Sequence, residues 1–250
     1  MTEDNLFTKV ATVQLYNDSI GAVSLYDASH ANESEEQRIH TVTTLASLAY
    51  GNEEAKNPEA LYKRMQSIKH ESLWEFIVDT YPYCSITTSM RNSPDDYSVR
   101  YSNKDNVDAH KQNIACFRIK VPMFVRSQFM RHRSFSYLEM SRRYTKGSKV
   151  PFQFWFPEEL RKNGAAITII DNALNLYSDL CDTNETQVAS RFLPQVTYTE
   201  FYMMGETEGL KNYFKLRLDS HAQAEIRELS AAMLELLQIN QPALYNKVKP

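Results

Sequence analysis

Apolar and polar positions alternate along residues 7–15 and 20–26, the period-two pattern of strands with one buried face, and Asn17-Asp18 supplies a turn between them. The period then lengthens. In 34–49 the apolar residues Ile39, Val42, Leu45 and Ala49 recur at helical intervals behind a capping box of Ser34 and Gln37. Asn57-Pro58 provides an N-cap and a first-turn proline for a second helix running to Ile68, with Leu61, Met65 and Ile68 on one side. His70 falls at the C-terminal end of that helix, and the aromatic and aliphatic run 73–83 reads as a strand. Between 85 and 113 aliphatic residues give way to Ser, Thr, Asn and Asp, which predicts a surface insertion.

Regular patterning returns at 114–121, a predicted strand. Pro122 stands where the first residue of a helix would, followed by Phe124, Val125, Gln128 and Phe129, and the chain is expected to leave this helix near Arg133. After an irregular, aromatic 151–157, helices are predicted at 165–182 and 184–192, a strand at 196–204 and a short helix at 206–215. The last long helix is expected to begin at Ser220, capped through Gln223, with Ala222, Ile226, Leu229, Met233 and Leu236 as its buried stripe. No repeat or linker interrupts this order. The expectation is one domain over 1–250, α+β in class, a mixed or antiparallel sheet flanked by helices, carrying the insertion at about 85–113.

Composition narrows the function classes. With 42% hydrophobic and 24% charged residues the chain can bury a real core. A pI near 6.1 and a formal charge of −3 argue against a dedicated nucleic-acid binder, which carries a basic surplus over its whole domain. Cys84, Cys116 and Cys181 are far apart and in no metal-binding or disulfide pattern, so no metal site is expected. The first residues lack a basic and apolar leader, and no apolar run approaches bilayer length, giving the expectation of a cytoplasmic protein without a membrane partner. Neither a G-x-G-x-x-G nor a Walker A sequence occurs, so a nucleotide would be held by side chains and helix ends.

Against that acidic balance one stretch stands out. Residues 126–149 hold seven Lys or Arg, one His and a single acid, Glu139. Such a focus of positive charge serves an anion, whether a nucleotide phosphate or a nucleic acid. Within it, Arg131-His132-Arg133 is followed after seven residues by Ser141, Arg142 and Arg143. Guanidinium groups separated by one residue can grip different oxygens of a diphosphate. With Gln128 and Glu139 the pattern becomes Q-x-x-R-H-R-x7-S-x-R.

This pattern resembles the signature of the flavin-dependent thymidylate synthase family, R-H-R, seven residues, then S, at Arg131, His132, Arg133 and Ser141. Upstream, His70-Glu71-Ser72-Leu73-Trp74-Glu75 is similar to the family's H-x-S/T-x-x-E segment. Downstream, 215–226 resembles L-R-x-x-x-H-A-x-x-E-I, with Arg217 and His221 in place and Asn212 at the usual offset. The resemblance implies transfer of the one-carbon unit of methylenetetrahydrofolate to C5 of dUMP, with FAD reduced by NADPH. It implies that His70, Ser72, Arg131, His132, Arg133, Asn212 and His221 bind FAD. It implies that Gln128, Glu139, Ser141, Arg143 and Arg217 bind dUMP, with Arg217 and Ser141 as catalytic residues and Arg217 polarising the uracil. It also implies a homotetramer whose sites are shared between subunits. Flavin-free thymidylate synthases attack C6 with a cysteine in a Pro-Cys-His context, which none of the three cysteines has.

The match departs at three places. The family's A-R-x-x-L-P reads Ala189-Ser190-Arg191-Phe192-Leu193-Pro194, moving the Arg by one position, about 100° around a helix. Glu206 and Glu208 stand where an amide and a cation are usual, and the 85–113 insertion is absent from compact members. Two other functions are therefore compatible with the sequence: a related C5 modification such as hydroxymethylation, completed by water instead of hydride, and a nucleic-acid-binding module using the basic stretch.

Overall fold

The computed structural model describes residues 9–14, 22–26, 34–76, 114–157, 160, 162–183 and 185–249. The run predicted as a strand at 114–121 is the spine of the molecule, for a physical reason visible in its sequence. Ile114 and Cys116 on one side and Ala115, Phe117, Ile119 and Val121 on the other are all buried, so both faces of this strand meet a core. Around it lies one antiparallel sheet of β1 (Lys9–Gln14), β2 (Ala22–Tyr26), β3 (Ile114–Pro122), β4 (Ser136–Glu139) and β5 (Tyr198–Glu206), in the spatial order β1-β2-β3-β5-β4. β5 pairs with β3 along its whole length, Ile114 opposite Glu206 and Pro122 opposite Tyr198, and on its other side it takes β4, Ser136 opposite Met204. The α+β expectation with an antiparallel sheet holds.

Helices cover the two faces unequally. Over one lie α1 (Glu35–Ala49), α2 (Pro58–Ser67) and α3 (Glu71–Trp74), packing Val42, Leu45, Met65, Leu73 and Phe76 onto Cys116, Tyr202 and Leu138. The caps form as expected: Ser34 Oγ accepts from the N–H of Gln37 and Asn57 Oδ1 from that of Ala60. Over the other face lie α4 (Met123–Phe129), α7 (Thr207–Arg217) and α8 (Ala224–Asn240), closed by α9 (Pro242–Tyr245), with Phe129, Phe201, Tyr213, Phe214 and Leu229 fully buried. Helices α5 (Gly164–Asp182) and α6 (Thr186–Ala189) form a satellite cluster around Tyr177, Ala189 and Leu193. The polar interruption of β3, Arg118, is matched across the sheet by Glu200 at 2.7 Å.

Three expectations are corrected. Residues 73–76 are the end of α3 and a turn, not the start of a strand, because Leu73 and Phe76 point the same way into the core at a spacing of three, a helical interval. The rest of that predicted strand and the 85–113 insertion lie outside the described residues. The last helix starts at Ala224 with Gln223 as its N-cap residue, and no Ser220 capping bond forms. Finally, Ser190–Phe192 is a 3-10 turn after α6, so the displaced Arg191 is rotated by about 120° and not 100° from its neighbour, and it is exposed.

Candidate functional site

The basic stretch enters the structure through α4. Pro122 ends β3 and opens the helix, Val125 and Phe129 bury one side, and the helix stops at Phe129 with Met130 as its cap residue. Arg131-His132-Arg133 is therefore a turn beyond the helix. Tyr137 on β4 reaches back to this turn, its hydroxyl donating to the carbonyl of Phe129 at 2.6 Å and lying 3.2 Å from that of His132. β4 itself was hidden in the sequence, its four residues too few to show alternation.

His132 is the one member of the triplet turned inward. Its ring meets Tyr213 edge-on at 4.9 Å and stacks on Phe135 at 6.0 Å. Nε2 accepts a hydrogen bond from Arg217 Nε at 2.9 Å, and Arg217 Nη2 donates to the carbonyl of Gln128, also at 2.9 Å. Burial, and next the Arg217 charge, push the His132 pKa down to about 4, so the imidazole is neutral at physiological pH. Gln128 in turn donates from Nε2 to Gln223 Oε1 at 2.7 Å. The downstream block and the start of the signature, some ninety residues apart, thus meet at one point.

Arg217 is the last residue of α7, where the negative end of the helix dipole favours its cation. The final helix begins seven residues later, at Ala224. Its pairing with Asp219, the simplest structural role for it, does not occur: Asp219 Oδ1 instead accepts from the N–H and from Nδ1 of His221, both at 2.8 Å. His221 is 95% exposed on the connection to α8 and is not gathered with His132. Helix α7 is fixed by Tyr213, whose buried hydroxyl shares a 2.8 Å bond with Ser230 of α8.

The remaining predicted residues fall into separate groups. Glu139 Oε1 accepts from Arg126 Nε at 2.9 Å and from Thr199 Oγ1 at 2.7 Å. Arg126 and Thr199 are site neighbours that motif reading missed, since neither lies at a motif position: Thr199 comes in through the β4–β5 pairing and Arg126 from α4. Ser141 begins the loop after β4, its N–H bound to the carbonyl of Ala49 at the end of α1. His70 precedes α3, with Nδ1 3.1 Å from Ser72 Oγ. Arg131, Arg133, Arg143 and Asn212 are exposed. Arg143 lies over the Tyr144 ring at 5.2 Å, while Arg142 turns away to stack on Phe152 at 4.7 Å and donate to the carbonyl of Val150. Of the two acids at unusual positions, Glu208 is paired with Lys211 at 2.8 Å.

One of the two described free thiols is unsuited to attack. Cys116 is fully buried in the sheet and burial raises its pKa, keeping it protonated. Among the described residues no group of His, Cys, Asp and Glu is arranged to hold a metal ion, and no helix is long and apolar enough to cross a membrane.

Comparison with known proteins follows the same stretch. The family model described as thymidylate synthase complementing protein matches residues 109–243. The flavin-dependent thymidylate synthase of Thermotoga neapolitana is 32% identical over 140 residues, covering 52% of this chain and 63% of the relative. That of Thermosipho africanus is 33% identical over 134 residues, 45% of this chain and 58% of the relative. That of Thermus thermophilus is 32% identical over 145 residues, covering 50% and 53%. The chain thus spans less than two thirds of the length of these relatives.

Proposed function

The chain belongs to the thymidylate synthase complementing protein family, the one whose matched relatives are named flavin-dependent thymidylate synthases, and from that premise we propose that it converts dUMP to dTMP with methylenetetrahydrofolate and NADPH. The observation that carries this reading is the meeting of Gln128, His132 and Arg217, three residues from two distant motif blocks, in one hydrogen-bonded group.

The donor set fits the proposed cofactor. Arg131 and Arg133 are exposed and neither hydrogen-bonds nor ion-pairs with a described residue, which suits a diphosphate, with His70, Ser72, Asn212 and His221 as further contacts. FAD, when bound, would supply the hydride drawn from NADPH. The protein's own part is orientation and charge. Arg217 polarises a carbonyl of the pyrimidine as electron density moves through the ring, and the positive charge of Arg143 serves the nucleotide phosphate. Gln128, Glu139 and Ser141 complete the nucleotide contacts. Their dispersal over separate groups in one chain, with His221 and four further polar residues facing solvent, supports a homotetramer in which neighbouring subunits complete each site.

Incubating the protein with FAD, NADPH, methylenetetrahydrofolate and dUMP and weighing the nucleotide product tests the reading. dTMP is the expected product; a hydroxymethylated nucleotide would replace the reading with water-completed C5 chemistry. Arg217→Ala should lower turnover at least a hundredfold, the scale of losing a transition-state donor, and near-parental activity would remove Arg217 from the chemistry.

A further inference from the structure

We propose that His132 is a positioning residue for Arg217, a neutral imidazole whose Nε2 lone pair holds one edge of the guanidinium so that its outer fork is presented to the pyrimidine. The geometry is specific about which edge is used. In a planar guanidinium the Nε–H and one Nη2–H point the same way along one side, and the second Nη2–H and an Nη1–H form a separate fork at the end. Arg217 spends its side edge inside the protein, Nε on His132 and Nη2 on the Gln128 carbonyl, each at 2.9 Å. Among the described residues nothing accepts from Nη1, so the end fork is left for a ligand.

Acceptance at Nε2 also fixes the tautomer of His132: the proton is on Nδ1, for which no described residue is an acceptor. A 180° flip of the ring would keep the Tyr213 and Phe135 contacts but place a C–H where Nε2 stands, losing the bond from Arg217. Burial and the adjacent cation disfavour a second proton, which would convert the acceptor into a like charge facing Arg217. His132 therefore touches the reaction through Arg217, independently of what its Nδ1–H meets. The reference to a pyrimidine rests on the function proposed above; the lock on Arg217 does not.

Two measurements on the full chain keep these apart. Nitrogen-15 NMR of the labelled protein without ligand should find His132 protonated at Nδ1 and bare at Nε2, with a slowly exchanging Arg217 Nε–H. Calorimetric titration with dUMP should find affinity weakened about tenfold in His132→Leu, the cost of losing a charge-assisted bond. It should be largely restored in His132→Gln, whose amide oxygen can stand near the Nε2 position, and not in His132→Asn. Arg217→Ala and the Arg217→Ala, His132→Leu pair should bind equally weakly, since the second change removes a support already without a load. Thermal melting of each variant checks folding, and the NMR result stands on the unaltered protein should a variant not fold. A protonated Nε2, parental affinity in His132→Leu, or additive losses in the double variant would overturn the proposal. Absence of dUMP binding by the parent, with Nε2 bare and bonded, would overturn the proposed function and leave the lock standing.

Discussion

At the scale of single residues, the site contains one histidine whose protonation is tied to the fold. In the unfolded chain His132 takes up its proton near the usual value of about 6.5, whereas in the folded chain burial and Arg217 hold it down to about 4. As pH falls the unfolded chain binds the proton first, so the stability that depends on neutral His132 is complete above about 6.5 and drains away toward about 4. Melting temperatures of the parent and His132→Gln, followed over that window, should therefore converge or cross as the parent alone loses stability; a constant difference would contradict the depressed pKa. Half exposure of the ring limits the size of the effect through solvent screening. Reading the residues in order made His132 visible as part of a triplet, because R-H-R is a contiguous pattern. Its acceptance from Arg217 was not legible, since that depends on how α7 ends relative to α4. Thr199 and Arg126 were equally hidden: a threonine on a strand and an arginine in a helix carry no local sign that both converge on Glu139.

At the scale of elements, the N-caps of α1 and α2 and the buried Val42, Leu45 and Met65 were read correctly, whereas Ile68 of the expected α2 stripe is exposed, and the larger errors fall where tertiary contact overrides local preference. Ser220 and Gln223 have capping spacing, yet Gln223 Oε1 is engaged by Gln128 and the helix starts later. β4 escaped notice because four residues hold too little periodicity, and its position is set by a glycine on the partner strand. Gly205 of β5 lies directly under the Phe135 ring: a Cβ there would come within 2.3 Å of Phe135 Cδ1 and 2.6 Å of Cε1. That ring is also the stacking partner of His132. Gly205→Ala is expected to destabilise the fold by about 1–3 kcal/mol, the range for overpacking, and to weaken dUMP binding by displacing His132. Denaturant unfolding and calorimetry on the same variant would separate the two effects, and a variant with both properties unchanged would mean that Phe135 is free to move aside.

At the scale of the whole molecule, one sheet carries two cores, and every group of the site is attached to one or the other. Met65→Ala on the α1–α2 face and Phe117→Ala on the α7–α8 face remove fully buried side chains. They should cost about 2–5 and 3–5 kcal/mol respectively. Because β3 and β5 contribute to both cores, each variant should still unfold in one transition when followed by fluorescence and by circular dichroism; separate transitions would show that the faces are independent. The strand order has a further consequence, in time. β3 can pair with β2, which is made before it, but β4 has no partner in the sheet until the strand that begins at Tyr198. During synthesis the signature turn therefore leaves the ribosome before the strand that joins β4 to the sheet, which begins some sixty residues later. Assembly of the reactive group waits for that strand, and then for Arg217 on the helix it leads into.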